Sequence, residues 1–158
     1  MNTPVYDFLI QYAERDPVRL HMPGHKGRFG APALQRATTL DLTEITGADS
    51  LFEAEGILAE SERNAASLYG TAYTFYSCGG STLCIQTMLL LMKQQGRAVL
   101  AARNVHRAFL NTCVLLDLPV QWIYPRESDG ILSGTYDLAD FEAALQQQTR
   151  PACVYVTS

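Results

Sequence analysis

A chain of 158 residues with 47% hydrophobic and 18% charged residues carries enough apolar content for an ordinary packed domain and too much for a disordered tail. Its formal net charge of −4, from 12 basic and 16 acidic residues without blocks of one sign, argues against nucleic acid or an anionic membrane surface as the main partner. No apolar run approaches the roughly 18 residues of a membrane span, and Asp7 falls inside the first amphipathic stretch, so the cytoplasm is the expected location. The four cysteines, Cys78, Cys84, Cys113 and Cys153, form no CxxC pair; neither a zinc site nor a disulfide framework is indicated, and mostly buried, reduced thiols are expected.

In chain order, Thr3 and Pro4 open a helix with Tyr6, Leu9, Ile10 and Ala13 on one face, running to about residue 15. Residues 19–30 read as a loop, punctuated by Pro23, Gly24, Gly27 and Gly30 and carrying His21, His25, Lys26 and Arg28. His21 and His25 are four apart, yet Pro23 and Gly24 forbid the helix that would align them as metal ligands, so no metal is expected. Residues 41–56 form a second irregular stretch with five acidic residues, followed by a helix through Leu58, Ala65, Leu68 and Tyr69 that Gly70 ends.

From there strand and helix signals alternate. Residues 73–76 read as a strand, 83–92 as an apolar helix stopped by Gly96, and 98–101 as a strand. A helix over 106–116, a strand over 120–124, a helix opened by Asp137 with Leu138, Phe141 and Leu145 on one face, and a β-branched run over 152–157 follow. The expected fold class is α/β with a mainly parallel sheet, in which ligands bind where strand-to-helix loops gather at the carboxyl ends. Two segments are expected, an N-terminal helix and loop over 1–56 and a sheet-containing domain over 57–158. Such a sheet would be incomplete at Ser158, leaving an apolar edge prone to aggregation.

Between the strand and helix signals stands Ser77-Cys78-Gly79-Gly80-Ser81-Thr82. Two glycines allow a tight turn and close approach to a ligand, while Ser81 and Thr82 offer hydroxyls and N–H groups at a helix's positive end, an arrangement suited to phosphate. The same residues would also serve as a plain turn with Ser81 as N-cap. No GxxxxGK[ST] or GxGxxG is present, which disfavours a nucleotide. This reading of the fold requires residues 79–82 to join a strand to a helix N-terminus.

Three segments in co-linear order resemble one family. His21-Met22-Pro23-Gly24-His25-Lys26-Gly27 is similar to the N-terminal signature of bacterial ornithine/lysine/arginine decarboxylases of the aspartate-aminotransferase fold. Gly79-Gly80-Ser81-Thr82 is similar to the family's Asn-Gly-Thr-Ser-Thr loop, and Arg103-Asn104-Val105-His106-Arg107 to its Arg-Asn-x-His-Lys. The Asp41-Leu42-Thr43-Glu44 stretch and Glu55-Gly56-Ile57 also resemble it.

The resemblance implies the first part of a fold type I major domain. It implies pyridoxal 5'-phosphate held through its phosphate by Gly80, Ser81 and Thr82, with His106 stacked on the pyridine ring. His25 and Lys26 would belong to a loop near substrate or a subunit interface. Without the resemblance, His106 reads equally as a helix-start or surface histidine. Cys78 stands where the family has Asn, and Gly80 where it has Thr, which removes a hydroxyl beside the phosphate.

The resemblance further implies a homodimer or larger assembly, a basic amino acid substrate, and a decarboxylation giving a polyamine precursor. The Schiff-base lysine and the Asp at the ring nitrogen would lie beyond Ser158, so no catalytic residue is expected here and the chain alone is expected to be inactive, binding the cofactor non-covalently at most. Its two lysines are Lys26, ahead of the sheet, and Lys93, at the polar end of an apolar helix; neither suits the role. The alternatives are another fold type I enzyme, an aminotransferase, aldolase or lyase, or a non-catalytic remnant that binds a partner.

Overall fold

The computed structural model describes residues 2–127, 134–147 and 150–157; Ser158, where a further strand-to-helix loop was expected, lies outside them. The chain divides into two compact units, Met1–Tyr76 and Ser77–Ser158.

The first unit holds α1 (Pro4–Glu14), α2 (Pro32–Leu40) and α3 (Ile57–Tyr69). Both α2 and α3 pack on α1. The sequence assigns α3 to the second segment, from residue 57; its contact with α1 instead makes the compact units part after Tyr76. Ala66 is the only buried hydrophobic side chain of this unit among the described residues, so its loops are held largely by polar contacts. Helix α1 opens as its sequence predicts: Pro4 occupies the first turn, and the Asp7 carboxylate accepts from the Thr3 N–H and hydroxyl. Gly70, at φ +65, ends α3.

The second unit contains α4 (Gly80–Lys93), β1 (Val99–Ala102), α5 (Arg107–Leu116), β2 (Val120–Ile123), α6 (Leu138–Gln147) and β3 (Cys153–Tyr155). The strands form a parallel sheet in the order β2-β1-β3. Central β1 is buried throughout, and its alternating side chains serve two layers. Val99 and Ala101 pack with Leu89 of α4 and with Phe109 and Cys113 of α5, whereas Leu100 packs with Ile123 and with Ala144 of α6.

Ala101 lies in register with Trp122 on one side and Tyr155 on the other. Its small side chain leaves room for Phe109, whose ring centroid is 4.3 Å from that of Tyr155 and 6.0 Å from that of Trp122. One fully buried ring thus spans all three strands.

Four points need correction. Residues 73–76 form no strand, because no neighbouring strand pairs their backbone among the described residues and Tyr73 and Phe75 are about 80% exposed (79% and 80%). Helix α4 begins at Gly80, three residues before the apolar run at Leu83, and α2 has no counterpart among the elements predicted from sequence. Nor are the thiols mostly buried: Cys78 and Cys84 are exposed, Cys153 is half-buried, and only Cys113 is buried. The predicted α/β class stands, as a small open parallel sheet covered by helices on both faces.

Candidate functional site

Topology brings the candidate residues of the second unit to one edge. Helix α4 enters β1 through the short turn after Lys93, and α5 leaves β1 through residues 103–106. Both therefore run antiparallel to β1, side by side, with their N-termini at the carboxyl ends of the strands, where ligands of parallel α/β sheets bind. Gly80, Ser81 and Thr82 form the first turn of α4; His106 starts α5.

The α4 N-terminus is built by its glycines. A β-carbon on Gly79 would come within 2.6 Å of the Leu83 side chain, so the turn lies tightly over Leu83. Gly80 has φ +64, a conformation that L side chains adopt at a cost, although space around it is open. The expected join of strand to helix is therefore met at the helix end only. Ser81 is not the N-cap; that position belongs to Gly79, whose N–H donates to the Ser77 hydroxyl at 3.2 Å, and among the described residues no side chain accepts from the N–H groups of Gly80, Ser81 or Thr82. Ser81 and Thr82 are exposed, leaving two hydroxyls and uncapped N–H groups at the positive end of a 14-residue helix.

His106 takes up the helix-start role: it is the N-cap of α5, and its Nδ1 accepts the Ala108 N–H at 3.1 Å. The proton of the neutral ring is then on Nε2, and the imidazole, exposed at the sheet edge, has its orientation fixed by that bond. The loop beneath it is tied down by the Arg103 N–H to the Ile123 carbonyl at 2.9 Å and by the Asn104 N–H to the Tyr136 hydroxyl at 3.0 Å. The Arg103 guanidinium carbon lies 5.0 Å from the Trp122 ring centroid. Trp122 and Tyr136 were missed from sequence because their partners are distant in the chain.

His25 and Lys26 belong to the first unit. The His25 Nε2 lies 3.1 Å from Asp41 Oδ2, its Nδ1 accepts the Gly27 N–H at 3.1 Å, and the Thr43 hydroxyl donates to the Met22 carbonyl at 3.0 Å. The 21–27 loop and the 41–44 stretch, separate in sequence, are thus joined by hydrogen bonds. His21 meets the Tyr12 hydroxyl at 2.7 Å, and among the described residues no cluster could hold a metal ion.

Arg19 secures the loop from below. It donates to the Thr39 carbonyl at 2.6 Å, at the C-terminus of α2, and its guanidinium carbon lies 5.2 Å from the Tyr12 ring centroid. The Gln35 amide donates to the Gly27 carbonyl at 2.7 Å. Asp49, unremarked in the sequence, caps α3 from seven residues before Gly56: its carboxylate accepts N–H bonds from Ser50, Glu55, Gly56 and Leu58. Desolvation pushes its carboxyl upward, but those N–H groups outweigh it and bring it down to about 2.

Residues 3–151 match the family described as Orn/Lys/Arg decarboxylase, major domain. The arginine decarboxylase of Halalkalibacterium halodurans is 32% identical over 136 residues, 82% of this chain and 28% of that protein. The arginine decarboxylase of Bacillus subtilis is 32% identical over 129 residues, covering 78% and 26%. The solved structure of lysine decarboxylase A from Pseudomonas aeruginosa superposes with a TM-score of 0.65 at 23% identity, over 92% of this chain and 22% of that one, a likeness of fold. The chain spans about a quarter of the length of these relatives.

Proposed function

The chain belongs to the Orn/Lys/Arg decarboxylase family, and from that premise we propose that it forms the phosphate-holding part of a pyridoxal-phosphate-dependent decarboxylase of arginine, lysine or ornithine. The observation that carries this reading is the uncapped N-terminus of α4, with the Ser81 and Thr82 hydroxyls, at the same sheet edge as His106. The residues fit the group: a phosphate needs donors and positive potential, and both are present, with no side chain among the described residues bound to the Gly80, Ser81 and Thr82 N–H groups.

In this reading Gly80, Ser81 and Thr82 hold the phosphate through N–H and hydroxyl groups. His106 covers one face of the pyridine ring, its plane set by the bond from Ala108. When bound, pyridoxal phosphate supplies an electron sink for the pair left on the substrate's Cα as carbon dioxide departs. His25 and Lys26 contribute to a loop that meets substrate or a second subunit. The full protein works as a homodimer or larger assembly in the cytoplasm. This part of the protein holds the cofactor through its phosphate, without a covalent bond.

The test is a titration of the chain with pyridoxal 5'-phosphate, followed by fluorescence. Saturable binding is expected, lost with pyridoxal, which lacks the phosphate, and weakened about tenfold or more by Ser81→Ala with Thr82→Ala. Equal binding of pyridoxal would overturn the assignment. Arginine is the first substrate to offer any full-length form, since the two relatives at 32% identity are arginine decarboxylases.

A further inference from the structure

A cavity of about 520 Å³ lies in the first unit between the end of α1, the loop at 26–28 and α2. Arg19, Lys26 and Arg28 line it, with Asp16 as the one carboxylate, so three positive charges less one negative leave an excess of two. This stands out in a chain of formal net charge −4. The salt bridges among the described residues join His25 to Asp41 and Arg126 to Asp137 and Asp140; none engages these three cations.

Their roles differ. Arg19 is fixed by the Thr39 carbonyl and the Tyr12 ring, so its guanidinium loses little further freedom when a ligand arrives. Lys26 and Arg28 are exposed and flank buried Gly27, whose carbonyl is held by Gln35; the Lys26 ammonium donates to the His21 carbonyl at 2.5 Å, whereas Arg28 reaches into solvent. A rigid floor with two cations held by backbone carbonyls, Arg19 and Lys26, and one adjustable cation, Arg28, suits a compact dianion, and the planar fork of arginine matches tetrahedral oxyanions.

We propose that this cavity binds inorganic phosphate or a phosphate monoester, with Arg28 closing on an anion seated beside Arg19 and Lys26. The site shares no residue with the α4 phosphate loop and does not depend on that reading.

Isothermal titration of the intact chain with inorganic phosphate at constant ionic strength tests it, using Arg28→Ala, Lys26→Met and, as a separate background, Ser81→Ala with Thr82→Ala. One phosphate site is expected to weaken about tenfold in each cation variant and to persist in the serine–threonine background. Arg28→Lys, which keeps the charge, should retain binding and shows that a loss in Arg28→Ala is not a loss of fold. Phosphate binding that survives both cation variants in the Ser81→Ala with Thr82→Ala background would overturn the proposal. So would binding abolished only by the Ser81 and Thr82 changes, equal binding of succinate, or no phosphate binding by the unaltered chain.

Discussion

The guanidinium of Arg19 lies against Gly27, so close that a β-carbon on Gly27 would come within 2.6 Å of Arg19 Cζ. Gly27 also has φ +76. Gly27→Ala therefore meets both a backbone penalty and a side chain held in place by the Thr39 carbonyl and the Tyr12 ring. A loss of about 2 kcal/mol or more is expected in urea denaturation followed by circular dichroism. An unchanged midpoint would show that Arg19 swings aside freely.

Asp49 makes α3 sensitive to acid. Its folded-state pKa of about 2 lies below the ordinary value near 4, so its contribution is complete above about pH 4 and is lost as pH falls toward 2. Asp49→Asn, which replaces two accepting oxygens with one, should lower the melting temperature at pH 7 and flatten the decline between pH 4 and 2. Asp49→Ala should lower it further. A variant whose acid profile overlays the parent would remove Asp49 from this role.

The four thiols should separate into two classes. Cys78 and Cys84 are exposed, whereas burial and the neighbouring Cys153 push the Cys113 thiol up to about 11, and burial raises Cys153 as well. Ellman's reagent at pH 8 is expected to consume two equivalents quickly and two only on unfolding. Four fast equivalents would contradict the packing around α5 and β3.

Phe109→Ala removes the ring that spans the sheet and should cost about 3–5 kcal/mol, with α5 and the three strands losing stability together. Hydrogen exchange resolves the location: protection of β1 should fall along with that of α5. Selective loss in α5 alone would mean that the sheet stands without it.

Gly80→Thr adds a hydroxyl in the first turn of α4. Because Gly80 has φ +64, the change is expected to destabilise the chain by about 1–2 kcal/mol despite the open space around it, and to leave cofactor affinity no better. Tighter binding with unaltered stability would show that the turn resets when a hydroxyl is present.

What could be read from sequence was what depends on neighbours in the chain. The helices α1, α3, α5 and α6 and the strands β1, β2 and β3 reappear within a few residues of their expected bounds. The failures are nonlocal. Helix α2 is fastened by Arg19 and by the bond from Gln35 to Gly27, and Asp49 caps α3 across a loop. Residues 73–76 have strand-forming side chains, but a strand is a relationship with a neighbour that composition cannot supply. At the candidate site the glycine turn and the helix start at His106 were legible; the supports under them, Trp122 and Tyr136, come from other elements.

Helix α3 is capped by Asp49 and α5 by His106, but α4 starts on two glycines, with only the Ser77 hydroxyl on the Gly79 N–H and, among the described residues, no side chain on the N–H groups of Gly80, Ser81 and Thr82. That turn is the part of α4 that costs least to unwind. An anion settling there would act as the absent cap, so ordering of the turn and occupancy of the site become a single equilibrium, and ligand concentration sets how far the helix extends.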